Sequence, residues 1–152
     1  MEYIQIQDID QMYDNLERTK GLAKTVNAKI DGKIIDITAP DTPQTYVSET
    51  DGIIYINGND WKMITTVFED VKEEALLKLK RFIRAEGGRI PSDPTERIIG
   101  VDEAKRVQEA KAYFYALKDG KRYEVGIHYR IFMPYPERGR NGFVEIALYT
   151  QE

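Results

Sequence analysis

Alternation of apolar and polar residues is the clearest pattern in the first third of the chain. Two alternating runs, residues 25–30 and 33–38, flank Asp31-Gly32, and two more, residues 46–49 and 53–56, flank Asp51-Gly52. An Asp-Gly pair between alternating runs is a strong hairpin signal, because both positions tolerate the left-handed backbone of a tight turn. The sequence therefore predicts two antiparallel hairpins.

A helical pattern follows the hairpins. Residues 61–64 come after a turn at Asn57-Gly58 and are expected to form a fifth strand, and a long helix is predicted from about residue 67 to 86. Thr66 and Glu69 have the spacing of a capping box, and Gly87-Gly88 ends the pattern. The apolar positions that recur every three or four residues are Phe68, Val71, Ala75, Leu76, Leu79, Phe82 and Ile83. They predict one buried helix face.

Two shorter helices are predicted from weaker signals. One begins at Asp8, has apolar residues at helical spacing through Leu16 and ends at Gly21. The other begins at Asp102, which can cap it, and runs to about Gln108. Residues 87–100 contain glycines, prolines and charges, and this composition indicates a connector rather than an element.

The last third predicts a three-stranded antiparallel meander. Its strands are residues 111–117, 122–133 and 143–150, with a turn at Asp119-Gly120 and a longer loop over residues 134–142. The whole pattern indicates one α+β domain over residues 1–152, with antiparallel meanders and the 67–86 helix packed on a sheet face. Pattern alone leaves open whether the meanders form one sheet or two.

The amino-acid composition excludes several classes of active site. The chain has no cysteine and a single histidine, His128, which excludes thiolate metal sites, disulfides, cysteine nucleophiles and multi-histidine centres within the chain. No stretch has the length and apolarity of a membrane span, and the N-terminus lacks the features of a secretory signal. We therefore expect a small acidic cytoplasmic protein without a cofactor or a metal.

The strand at residues 122–133 carries a polar face. Alternation places Arg122, Glu124, His128 and Arg130 on it, and Glu145 is expected beside them on the next strand. The favoured interpretation is a solvated face with cross-strand ion pairs. The alternative is an anion site of a small hydrolase or phosphate-ligand enzyme, in which His128, Glu124 and Glu145 are the candidate catalytic groups.

Residues 105–152 also mix aromatic and basic side chains, with 9 basic against 6 acidic residues. Within the 134–142 loop, Tyr135, Arg138 and Arg140 are candidate ligand- or partner-binding residues, since long loops on a rigid sheet often bind ligands. Aromatic stacking between cations also suggests single-stranded nucleic acid. The sequence pI of about 5.2 and the absence of a recognition consensus argue against that partner.

These patterns favour a non-catalytic binding or interaction protein of the inhibitor, adaptor or accessory-subunit type. Its predicted surface is the C-terminal sheet with the 134–142 loop, including Arg122, Arg130, Tyr135, Arg138 and Arg140. Another protein is the expected partner, ahead of a small anionic ligand and of nucleic acid. A homodimer through an edge strand stays open, because strand order is needed to identify an edge.

Overall fold

A computed structural model describes the backbone of residues 25–30, 33–38, 45–47 and 53–152, and the side-chain surroundings of Thr45 and residues 53–152. The predicted helix from Asp8 lies outside the described residues. The described part contains one long α-helix and eight strands, which pair antiparallel wherever they pair. It is an α+β fold, as the sequence predicts.

Six strands form one sheet in the order β3-β4-β8-β7-β6-β5, and β1 and β2 form a separate two-stranded sheet. The strands are β1 Thr25–Ile30, β2 Lys33–Thr38, β3 Thr45–Val47, β4 Ile54–Asn57, β5 Thr95–Asp102, β6 Val107–Lys118, β7 Lys121–Phe132 and β8 Phe143–Gln151.

Both N-terminal hairpins and the C-terminal meander are confirmed. Strands β1 and β2 pair from Thr25↔Thr38 to Ile30↔Lys33, as a two-residue connection requires. Strand β4 also pairs with β8, with Ile54 opposite Ile146. The second hairpin and the C-terminal meander therefore belong to one sheet, which answers the question that the pattern left open.

The long helix, α1, spans Trp61–Ala85 and begins earlier than the capping pattern predicted. Its N-cap is Asp60, whose Oδ1 accepts hydrogen bonds from the backbone N–H groups of Lys62 and Met63 at 3.1 and 3.3 Å. The predictions of a strand at residues 61–64 and of a cap at Thr66 are therefore wrong. The Thr66 hydroxyl instead donates to the Lys62 carbonyl at 2.9 Å, inside the helix.

Helix α1 packs one apolar face on the large sheet. Its buried side chains, spaced three or four residues apart, are Ile64, Phe68, Val71, Ala75, Leu79 and Ile83. They contact a layer of sheet side chains that includes Ala112, Phe114, Val125, Ile127 and Ile146. The predicted face is confirmed except that Leu76 and Phe82 are only partly buried. Strand β6 contributes the small buried residues Ala110, Ala112 and Ala116 to this layer.

Strand β5 was missed in the sequence, where residues 87–100 were interpreted as a connector. It pairs with β6 from Thr95↔Tyr113 to Asp102↔Val107, with a bulge between Ile98 and Gly100. Gly100 and the nearby prolines at 91 and 94 concealed the strand, because such residues usually mark loops.

The short helix predicted from Asp102 to Gln108 is also wrong. Asp102 ends β5, residues 103–106 form a turn, and β6 begins at Val107. The capping chemistry is present but closes a single turn, since Asp102 Oδ1 accepts from the Lys105 N–H at 3.1 Å. Arg106 then takes a φ of 57°, a left-handed conformation that ends any helical path and starts the next strand.

Candidate functional site

The sheet face opposite α1 carries a row of charged residues that we call the charge ladder: Glu109 on β6, His128 and Arg130 on β7, and Glu145 on β8. The register places Glu109 and Glu145 directly opposite Arg130, one on each side. Directly opposite residues in antiparallel strands point to the same face, so three strands bring these side chains together.

The charge ladder is not the solvated face that the sequence favoured. His128 is 7% exposed, Arg130 5% and Glu145 8%, so that interpretation is wrong for these three residues. Alternation shows which side chains share a face, but it carries no information on whether that face is covered. Arg130 therefore presents almost no side-chain surface to a partner in this structure.

Arg130 lies between two carboxylates. Its Nη1 is 3.5 Å from Glu145 Oε1, and its Nε is 3.9 Å from Glu109 Oε2. Burial lowers the pKa of Arg130, and the two carboxylates oppose that shift. An incoming phosphate or carboxylate would have to displace these built-in anions, and the arrangement therefore disfavours an anion site at Arg130.

His128 contacts the same carboxylate as Arg130. Its Nε2 lies 3.2 Å from Glu109 Oε2. Burial lowers the pKa of His128, while the charge of Glu109 raises it and Arg130 lowers it further. A buried histidine whose pKa is lowered below 6.5 is mostly neutral at pH 7, so the contact with Glu109 is one between an imidazole and a carboxylate rather than a full ion pair. This pair can orient the histidine, but hydrolysis also needs a nucleophile or an activated water beside it.

Glu124, another predicted catalytic candidate, belongs to a second cluster further along β7. Its Oε2 lies 2.8 Å from Lys111 Nζ and accepts a hydrogen bond from the Tyr149 hydroxyl at 2.7 Å. The Lys111 ammonium also lies 4.6 Å from the centre of the Tyr113 ring. Glu124 and His128 thus contact different charged partners, although the two clusters adjoin at Lys111, which lies directly opposite His128 on β6.

Arg122 stands apart from both clusters. It is exposed near the start of β7, and its guanidinium lies 3.9 Å from the centre of the Tyr115 ring. Tyr115 in turn packs edge-on against Tyr113, with ring centres 5.7 Å apart. This arrangement holds Arg122 flat on the sheet, so it remains a candidate contact residue at the surface.

The 134–142 loop is a compact turn. A short 3-10 helix, Pro136–Arg138, ends at Gly139 with a φ of 64°, and Tyr135 forms a bridge with Arg140. The guanidinium groups of Arg106 and Arg138 lie 5.1 and 5.3 Å from the centre of the Tyr135 ring. Two of the predicted loop residues, Tyr135 and Arg138, are thus brought together, with Arg106 from the turn before β6.

The outward edge of β5, which we call the β5 edge, was not predicted from the sequence. Ile98, Ile99 and Val101 are 61%, 43% and 57% exposed on it. In the described part of the chain, β5 has a strand neighbour only on its β6 side. The available signal was a short run of β-branched residues between polar ones, which is typical of a strand.

Among the residues that the structure describes, no three histidine, cysteine, aspartate or glutamate side chains group together as metal ligands. Within the same residues, no helix has the length and apolarity to cross a membrane. No protein-family model, curated protein or solved structure matches the chain.

Proposed function

We propose that this chain is a non-catalytic protein-binding domain. The observation that carries the proposal is the distribution of exposed apolar residues. Among the described residues, four of the large apolar side chains that are exposed lie on the β5 edge or at the adjoining end of the sheet: Ile98, Ile99, Val101 and Met133. Exposed apolar groups beside an open strand edge are typical of a binding surface.

The surrounding charges support a protein partner. Arg97 and Asp102 flank the apolar residues on β5, and the 103–106 turn follows directly. Arg106 connects that turn to the 134–142 loop, since it lies over Tyr135 and 3.9 Å from Glu137. An apolar centre with a mixed charged rim that includes arginine and tyrosine matches the usual composition of protein interfaces.

The two other functions have less support. The enzyme alternative needs a cation available to an anionic ligand, whereas Arg130 is placed between Glu109 and Glu145. The nucleic-acid alternative needs open aromatic rings and a positive field, whereas Tyr135 already contacts two guanidinium groups and the net charge is −4. The proposal takes the protein as cytoplasmic and independent of a cofactor.

Photo-crosslinking tests the proposal directly. We would place benzoylphenylalanine at Ile98 on the β5 edge and, as a matched control, at Leu77, an exposed apolar residue of α1. Each variant is irradiated alone and in cell lysate, with unlabelled wild-type chain as competitor. A competed protein adduct at position 98 and none at 77 supports the proposal. Equal adducts at both positions, or none at 98, contradict it.

A further inference from the structure

We propose that the partner of the β5 edge is a second copy of this chain, an inference that rests on the proposed function. In this dimer the two β5 strands pair antiparallel across a two-fold axis. A closed symmetric dimer is the commonest assembly of soluble proteins, and its two strands must be complementary to themselves. Strand β5 has this property, and three separate observations on the strand support the pairing.

The first observation is which side chains share a face. Ile98 and Val101 pair with Ala110 and Gln108, which are two residues apart on β6 and therefore point to the same side. Arg97 and Asp102 pair with Lys111 and Val107, which by the same reasoning point to the other side. Ile98 and Val101 are three residues apart, and Arg97 and Asp102 are five apart, so in a regular strand the members of each pair would face opposite sides. The extra residue of the bulge at Ile99 brings the members of each pair to the same side.

The second observation is self-complementarity. If the two-fold axis lies between Ile99 and Gly100, Arg97 of each copy is opposite Asp102 of the other. The same register places Ile98 opposite Val101. Opposite charges then meet on one face and β-branched apolar side chains meet on the other, twice by symmetry. Moving the axis by half a residue to Ile99 places Arg97 opposite Val101 instead, and the charge pairs are lost.

The third observation is Gly100, which lies at the centre of that register. Its φ is not in the positive region, and a Cβ added to it would meet nothing within 4 Å. Neither backbone conformation nor internal packing therefore requires glycine here, although glycine weakens a strand. A glycine in a strand often marks a close approach of another backbone, which the second β5 supplies.

The flanking residue Glu96 does not oppose the dimer. It points toward α1, where its Oε1 lies 2.6 Å from Lys72 Nζ and its Oε2 accepts from the Tyr129 hydroxyl at 3.3 Å. Bulges and charges commonly protect an edge from pairing with arbitrary strands. On β5 the bulge and the charges would also select the partner, because only a strand with complementary charges in the same register can pair with it.

Sedimentation velocity over a range of protein concentrations tests the pairing. We expect the wild type to reach twice the chain mass of 17.6 kDa. Arg97→Asp and Asp102→Arg each replace two attractive contacts by repulsive ones, and each should weaken the dimer by about ten-fold or more. The double exchange Arg97→Asp with Asp102→Arg restores opposite charges and should recover most of the affinity. This recovery identifies the register.

Two further variants separate pairing from folding. Ile98→Lys should abolish the dimer, and Leu77→Lys, an equivalent change on α1, should leave it intact, with circular dichroism reporting the fold of both. Gly100→Thr should fold, because its side chain enters open space in one chain, yet dimerise more weakly. A wild type that is monomeric throughout, a dimer that survives Ile98→Lys, or a charge exchange that fails to recover affinity overturns the proposal.

The two experiments together separate self-pairing from the proposed protein-binding function. A monomeric wild type that still gives a competed adduct with another protein at position 98 overturns self-pairing and leaves the β5 edge as a binding surface. A monomeric wild type without any adduct at 98 overturns both.

Discussion

Along most of strands β7 and β8, side chains on both faces of the large sheet are buried, yet the two faces consist of different chemistry. The face toward α1 is apolar, with Val125 and Ile127 against helix residues such as Leu79. The opposite face carries the charge ladder and, at one end, a stacked pair of rings, Phe132 and Phe143, with centres 4.3 Å apart. The same strands therefore contribute to an ordinary hydrophobic core on one side and to a buried ionic network on the other.

A buried side chain therefore does not necessarily stabilise the fold. Removing apolar side chains from water is favourable in proportion to their area. Burial of the charge ladder instead costs desolvation, which the ion pairs of Arg130 with Glu109 and Glu145 offset. We therefore expect the apolar face to stabilise the fold and the charge ladder to orient strands β6, β7 and β8 relative to each other.

The largest effect should come from the apolar face. Leu79→Ala removes a fully buried side chain from the helix–sheet interface and should lower the free energy of unfolding by about 3 to 4 kcal/mol. Leu77→Ala, two residues earlier on the exposed side of α1, is the matched control and should change it by less than about 0.5 kcal/mol. Equal losses in urea unfolding would show that the helix does not pack as described.

The next effect tests the charge ladder. Arg130→Met leaves Glu145 buried without its cation and should cost about 2 kcal/mol, since an uncompensated buried charge is destabilising. The double change Arg130→Met with Glu145→Leu removes both charges and should cost less than the single change. If chemical denaturation shows the double variant to be less stable than Arg130→Met, the ion pairs contribute net stability. The expected difference between the two faces would then be wrong.

A smaller effect is expected at the second polar cluster. Tyr149→Phe removes the hydroxyl that donates to Glu124 and should lower the free energy of unfolding by about 1 kcal/mol, the usual net value of one hydrogen bond. Because Lys111 still neutralises Glu124, the loss should stay below that of Arg130→Met. A loss as large as that of Arg130→Met would place this tyrosine among the essential members of the polar face.

The smallest effect concerns pH. Burial lowers the pKa of His128 below its usual value of 6.5, so the unfolded chain binds the proton more readily than the folded chain. The stability contributed by the neutral imidazole is therefore present above pH 6.5 and decreases as the pH falls from 6.5 through the folded-state pKa. A His128→Gln variant should lose this part of the pH dependence.

The single histidine makes the titration measurable by NMR without assignment ambiguity. Glu109→Gln removes the carboxylate that raises the pKa of His128, so the midpoint should move further down. An upward shift in this variant would contradict the contact with Glu109.

The sequence predicted local elements well where local chemistry decides them. The strands on either side of the three Asp-Gly pairs are antiparallel as predicted, and at Asp119-Gly120 both residues have a positive φ, as a tight connection needs. The apolar stripe of α1 was also correct. The start of α1 was misplaced because the residues at 61–64 suit a strand or a helix, and Asp60 decides between them.

The candidate site was predicted less well. Glu109, the carboxylate that joins His128 and Arg130, was missed because β6 was expected to begin at 111 rather than at Val107. The β5 edge was missed because Gly100 and its neighbouring prolines indicated a connector. The first error is one of element boundaries, which differ by a few residues between pattern and structure. The second is a whole strand whose formation depends on pairing with β6.

Local sequence patterns were sufficient to predict the α+β class, the hairpins, most of the buried face of α1 and the set of side chains that share each strand face. These follow from turn conformation and from the helical and strand periods, which are local properties. Only the tertiary structure decided that the charge ladder is buried, that β4 joins β8, and that β5 forms an open edge. Those depend on which strands become neighbours, and neighbours far apart in sequence are chosen by the packing of the whole chain.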